Sequence, residues 1–349
     1  MSSTALDGRR ASWSTAWRWL ISSPGITTVL TVAIATWVTA EAGLFALVNG
    51  IVTGGMWALV AVGLSLVFGV MNIANFAHGE FYMVGAMTGY FVFTPLAEYL
   101  LRHPAPVLSA IAPILTFFIA GIVGGVVGVA AELLIFRPLR HRTKESWVMN
   151  CFLLTLGLST ILQNTALLAV GSDTKGIFRY WEIAPIQFLD VSISFDRLAA
   201  LAIAVICIVG LWLMLKRTQT GRAIRAVSQD ETGALLVGID LDRIQLLTIA
   251  LSAALAAVAG AALLFIFPAT PTVGTKPLFT AWFVLVIVGM GNVPGAIVGG
   301  FIVAFVQSAV SFFIGPAWEE VVPVAILVLI LLVKPSGLFG SVVKGIQEQ

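Results

Sequence analysis

The chain has 349 residues, 59% of them hydrophobic and only 10% charged, with a mean hydropathy of +1.02, whereas a soluble domain carries roughly 25% charged residues. That balance excludes a water-soluble globular domain, and a net charge of +2 is too small to point to nucleic acid. Apolar surface on this scale needs lipid to cover it, so the expectation is one membrane domain.

At the N-terminus Arg9 and Arg10 precede an uncharged stretch, residues 19–40, which is longer than the roughly 7 to 15 residues of a signal-peptide core. The reading is a cytoplasmic tail over 1–18 and an uncleaved additional span over 19–40. A helix rising 1.5 Å per residue needs about 20 apolar residues to cross about 30 Å of hydrocarbon. On that measure the chain offers about ten spans: 19–40, 48–70, 80–98, 106–135, 147–170, 198–215, 244–267, 277–291, 295–314 and 321–333. The expected fold is an all-α, polytopic transmembrane helical bundle. A transmembrane domain fills 41–334, and a short cytoplasmic tail occupies 335–349.

Glycines recur four residues apart inside the runs: Gly50 with Gly54, Gly85 with Gly89, Gly121 with Gly125, Gly124 with Gly128, and Gly295 with Gly299. Lipid gives helices no hydrophobic reason to associate, so close backbone approach through small residues is how they gain packing energy. Cys151 and Cys207 lie in apolar runs and read as core packing rather than a disulfide.

Between the second and third runs lies Asn72-Ile-Ala-Asn75-Phe-Ala-His78-Gly-Glu80. Two amides, an imidazole and a carboxylate are costly in hydrocarbon unless they pair or line water. Two readings stand: a translocation path or gate, or a hydrogen-bonded clamp joining helices. Gln163 and Asn164 in the fifth run pose the same choice. Glu132, near the end of the fourth, is expected to pair with a neighbouring arginine such as Arg137. Residues 171–196 form a hydrophilic stretch long enough for a small folded external loop.

Residues 216–243 are polar and helical in character, with Ala223, Ala226, Val227 and Ala234 set against Arg222, Arg225, Asp230 and Glu231. Gly221 is expected to precede this short amphipathic helix and Gly238 to end it. It reads either as a docking knob for a partner or as an interfacial helix on lipid headgroups. Further on, Gly289-Met-Gly291-Asn-Val-Pro294-Gly295 should turn the chain sharply between two runs.

Orientation follows from the basic residues. With the N-terminus in the cytoplasm, fourteen Lys and Arg fall inside, among them Arg9, Arg10 and Arg18, Arg137 to Lys144, Lys216 to Arg243, Lys334 and Lys344. Five fall outside: Arg102, Lys175, Arg179, Arg197 and Lys276. Both termini are therefore expected in the cytoplasm. No metal-ligand spacing links His78, His103 and His141, and no phosphate-binding G-x-x-x-x-G-K-[ST] loop or hydrolase motif occurs. The chain reads as a transport protein rather than an enzyme, and ATP-driven work would need a partner.

The motifs in order are specific. Gly63-Leu-Ser-Leu-Val-Phe-Gly69 leads into Asn75-Phe-Ala-His-Gly-Glu80, followed by Arg137-Pro-Leu-Arg140, Leu156-Gly-Leu-Ser159 and Leu162-Gln-Asn164. Then come Thr220-Gly-Arg-Ala-Ile-Arg-Ala-Val-Ser-Gln-Asp230, Gly238-Ile-Asp240, Gly289-Met-Gly291 and Pro294-Gly-Ala296. From about Leu44 to Lys334 the chain resembles the LivH-type permeases of branched-chain amino acid ABC transporters. The resemblance implies a type II ABC importer-like bundle in a bacterial inner membrane. It makes Thr220, Gly221, Arg222, Arg225, Ala226, Asp230 and Gly238 the element that couples to an ATPase. It also implies two ATP-binding subunits carrying ATP and Mg, with no cofactor in this chain. A second permease, LivM-like or another copy, and an extracytoplasmic substrate-binding protein would complete the assembly. The cargo would be branched-chain amino acids or related small carboxylates and amides. The first span lies outside the motif-bearing core, and Val288 stands where the family usually has glycine. The competing class is a secondary transporter or channel driven by an ion gradient, which would need ionisable groups deep within its spans.

Overall fold

Apolar runs punctuated by glycine and proline fold as twelve α-helices, two short π and 3-10 turns and one hairpin over the residues described by the computed structural model, 23–142, 147–188 and 191–333. In chain order these are α1 Ser23–Met71, α2 His78–Arg102, α3 Pro106–Ala131, α4 Arg137–Arg142, α5 Trp147–Val170, β1 Ile186–Phe188 and β2 Val191–Ile193. There follow α6 Phe195–Arg217, α7 Gln219–Gln229, α8 Glu231–Leu236, α9 Leu241–Ala262, α10 Thr275–Val288, α11 Val293–Phe313 and α12 Val321–Val333. The tails at 1–18 and 335–349, the start of the first expected span, and Arg9, Arg10, Arg18, Lys144, Lys334 and Lys344 lie outside the described residues.

Among the described residues six helices are long and apolar enough to cross a membrane: Gly43–Met71, Pro106–Arg142, Met149–Val170, Phe195–Arg217, Leu241–Ala262 and Val293–Phe313. The expected count of about ten is reduced accordingly. The 25-residue α2 carries Glu80, Glu98 and Arg102, which dilute its apolar character. At 14 and 13 residues, α10 and α12 are shorter than the thickness of the hydrocarbon core requires. The first expected span is continuous with the second in α1 except at Gly43, where φ of 77° interrupts the helix.

Packing centres on α9 and the second half of α1. In Gly43–Met71, 83% of the most apolar window is buried, against 11% in Met149–Val170, so α5 is the span this chain itself leaves almost bare. The alanine-rich face of α9 receives two neighbours. A Cβ at Gly85 would overlap the Ala257 backbone from α2, and one at Gly124 or Gly128 would press on Ala257 or Ala253 from α3. Gly50 and Gly54 of α1 admit Phe305 and Phe301 of α11, and Gly295 and Gly299 of α11 seat Val288 and Val284 of α10. The four-residue glycine spacing thus marks real helix contacts.

The hydrophilic stretch over 171–196 contains the only strands among the described residues, an antiparallel hairpin with Ile186 opposite Ile193 and Phe188 opposite Val191. It is tied down by Asp196, whose Oδ1 accepts from the Tyr180 and Trp181 amides at 2.9 and 3.1 Å. Tyr180 in turn donates its hydroxyl to the Ala261 carbonyl at 2.5 Å, at the end of α9.

Candidate functional site

The polar segment between α1 and α2 is ordered by its own side chains. Asn72 adopts φ of 53°, the one positive φ outside glycine among the described residues, and asparagine tolerates that left-handed turn. Asn75 is fully buried, and its Oδ1 accepts from the Ala77 amide at 3.0 Å, a local turn that starts α2. Between them Phe76 stacks on Trp282 of α10 at 5.3 Å and meets Phe152 of α5 edge-on at 5.2 Å.

His78 has no exposed surface. Its Nε2 lies 3.0 Å from the Val60 carbonyl and its Nδ1 3.3 Å from the Ser252 hydroxyl. A carbonyl only accepts, so Nε2 carries the proton and Nδ1 accepts from Ser252. One imidazole thereby joins α1, α2 and α9. Glu80 sits in the first turn of α2, where the helix dipole favours a carboxylate. Its Oε1 accepts from Ser159 at 2.9 Å and from Gln163 at 2.7 Å, joining α2 to α5, while Oε2 is buried without a partner among the described residues. The structure therefore brings His78, Glu80 and Gln163 into helix-joining bonds. Asn164 does not join them: it is exposed, with its amide donating to Thr160 of its own helix at 2.8 Å. Asn72 is exposed at the turn.

The polar segment after α6 is a tight hook. Thr218 donates to the Met214 carbonyl at 2.7 Å and accepts from the Gly221 amide at 2.9 Å, capping α7. Gly221 lies within α7 rather than ahead of it: a Cβ there would overlap the backbone of Met214 and Leu215, so only glycine lets α7 fold back against α6. The inward face carries Gly221, Ile224 and Val227, with Ala223 and Ala226 half-buried beside them, while Arg222 and Arg225 are exposed. The apolar anchor is thus bulkier than the alanines alone suggested; Ile224, at three residues from Gly221 and from Val227, was its signal. Asp230 leaves helical geometry and splits the hook into α7 and α8. Gly238, at φ of 83°, closes α8, its amide reaching the Leu235 carbonyl at 3.0 Å.

A charged node fastens the next helix. Glu132 pairs with Arg140 at 2.9 Å, not with Arg137, because a π-helical turn over Glu132–Phe136 rotates the following arginines. Arg140 also reaches Asp242 at 2.9 Å, and Asp242 accepts from Arg137 at 3.0 Å and lies 3.1 Å from His141. Asp242 stands in the first turn of α9, directly after the hook. Its part could not be read from sequence, since its partners are about a hundred residues away. Nearby, Gly289 and Gly291 take positive φ, and Asn292 caps α11 by accepting from the Gly295 amide at 3.0 Å. No group of three or more His, Cys, Asp or Glu suited to a metal ion occurs among the described residues.

Comparison with known proteins fits this architecture. The family model described as "Branched-chain amino acid transport system / permease component" matches residues 46–331. The high-affinity branched-chain amino acid transport permease LivH of Escherichia coli K12 is 30% identical over 302 residues, covering 84% of this chain and 94% of that one. The corresponding protein BraD of Pseudomonas aeruginosa is 31% identical over 303 residues with the same coverage. A probable LivH of Methanocaldococcus jannaschii is 25% identical over 306 residues, covering 84% and 91%. No solved structure matches.

Proposed function

The chain belongs to the permease components of branched-chain amino acid transport systems, and from that premise we infer that α7 and α8 are the coupling element through which separate ATP-hydrolysing subunits drive import. As a permease subunit it is a multi-pass membrane protein and not an enzyme. ATP and Mg are assigned to two partner subunits. An extracytoplasmic binding protein delivers the cargo, branched-chain amino acids or related small carboxylates and amides. The second permease is LivM-like or another copy of this chain.

The observation that carries this reading is the two-sided character of α7. Its inner face is wedged under α6 through Gly221, Ile224 and Val227, and neither Arg222 on its outer face nor Arg225 on its flank meets a carboxylate among the described residues. Basic residues concentrate at this end of the bundle, which supports a cytoplasmic hook and cytoplasmic termini. The glutamate and aspartate that complete the charged node are consistent with rigid linkage. A push on α7 reaches α6 through Thr218, and reaches α9 through Gly238 and the Asp240 cap on Arg243. Arg140 then links α9 to α3 and α4. Such a chain of fixed contacts suits rocking between outward and inward openings. We also place α2, α10 and α12 within the bilayer, which with the six spans and the part of α1 before Gly43 gives a count near ten.

Asn72, Asn75, Glu80, Gln163 and Asn164 belong in this reading to the boundary between α2 and α5, with His78 behind it, bonded to α1 and α9. Here the exposed side of α5, with Asn164, faces the conduit, and His78 and Glu80 hold its wall. Ion-gradient coupling is the competing mechanism. Reconstitution with both ATPases and the binding protein in sealed vesicles distinguishes the two: leucine uptake should require ATP. Uptake by the chain alone on a proton or sodium gradient would overturn the assignment.

A further inference from the structure

Between the hook and the bundle lies a cavity of about 400 Å³, bounded by α1, α6, α7 and the start of α11. Its walls are apolar: Val62 and Leu66 from α1, Ile208 and Leu211 from α6, and Ile224 from α7. Its lining also holds two basic side chains, Lys216 and Arg225, beside the polar Ser228, Gln229 and Asn292. Both basic residues are exposed, and neither pairs with a carboxylate among the described residues. Lys216 lies 4.6 Å from the Trp212 ring centroid, an aromatic and a lysine together at the end of a span, as occurs where a helix leaves the bilayer. In the wall, Ser65 is fully buried and its hydroxyl has no partner.

An apolar slot with two cations in its lining at a membrane surface matches one ligand chemistry: a hydrocarbon chain bearing an anionic head. Basic pockets between transmembrane helices on the cytoplasmic side bind anionic headgroups, and the apolar walls beneath the two cations suit an acyl chain better than a small polar solute. The volume lies within the range of ordinary ligand sites. We propose that this cavity binds an anionic phospholipid of the cytoplasmic leaflet, with an acyl chain between α1 and α6, Ser65 donating to an ester carbonyl, and the phosphate held by Lys216 and Arg225. The lipid then fills the space behind the coupling helix and sets how firmly α7 is backed by the bundle. The inference rests on the cytoplasmic placement of the hook.

The test uses the full complex with its ATPase subunits, washed in mixed micelles of phosphatidylglycerol and phosphatidylcholine, with retained lipid counted by mass spectrometry. Phosphatidylglycerol should be kept in preference. Lys216→Gln should weaken retention about fivefold, the factor one basic residue contributes at an anionic surface. Ile208→Phe, which fills the slot, should lessen it further. Because a cavity-filling variant can misfold, the surface change at Lys216 stands as the independent arm. Equal retention of both lipids, or unchanged retention in Lys216→Gln, overturns the proposal. So does displacement of the lipid by leucine, isoleucine or valine, which would make the cavity part of the cargo route. Retention is read without transport, so failure of the importer assignment would appear in the vesicle uptake experiment and not here. Sidedness is tested separately by labelling a cysteine placed at Gln219.

Discussion

Glu80 and His78 perform different tasks although they stand two residues apart. His78 faces inward and joins three helices of the core through Val60 and Ser252, whereas Glu80 faces α5 and is held by Ser159 and Gln163. Bonds of this kind within a membrane protein contribute about 0.6 to 2 kcal/mol each. Glu80→Ala should therefore lower the unfolding free energy in mixed micelles by about 1 to 2 kcal/mol and expose α5 to protease. Glu80→Gln, which can still accept from both partners, should lose less. His78→Ala removes a ring that fits between α1 and α9, so uptake and the yield of folded protein should fall together. Uptake lost at full stability would instead make His78 part of the cargo path.

Among the elements, α7 and α9 are shaped by close approach. Gly221→Val would drive a side chain into Met214 and Leu215, shifting the hook, so stimulation of the ATPase subunits should disappear while the spans still insert. Arg222 is exposed on the outer face of α7; Arg222→Glu should leave thermal stability within about 0.5 kcal/mol and abolish ATPase stimulation. A second pair of variants separates packing glycines from incidental ones. Gly85→Val overlaps the Ala257 backbone and should prevent α2 from seating on α9, giving little folded protein. Gly157 has nothing within 4 Å of where a Cβ would stand, so Gly157→Ala should be neutral or stabilise α5 by up to about 1 kcal/mol, the difference in helix preference. Both follow from size-exclusion yield and thermal melting in detergent.

For the whole molecule the informative feature is what stays uncovered. Only a stripe of α5 is buried, through Cys151, Thr155 and Leu158, and Leu153 and Ile161 on its other side are 59% and 62% exposed. A span attached to its own chain mainly at α2 and α4 has a broad face left for lipid or for another subunit. In the assembled importer, cysteines placed at Leu153 and Ile161 should cross-link to the second permease, and Cys151 should not. Absence of both cross-links in an active complex would place α5 against lipid.

The residues by themselves determined the environment and the family, because hydropathy over some twenty residues is a local sum and motifs such as Thr220 to Asp230 are contiguous. The glycine pairs also announced close packing, since their spacing is that of one helix face. What sequence could not supply was the identity of each partner. That Gly85 meets Ala257, that Arg140 rather than Arg137 reaches Glu132, and that Asp242 completes the node depend on helices far apart in the chain being brought together. The choice between clamp and conduit around His78 had the same origin: polar groups in lipid must be satisfied, but only the bundle fixes whether a neighbouring helix or water satisfies them.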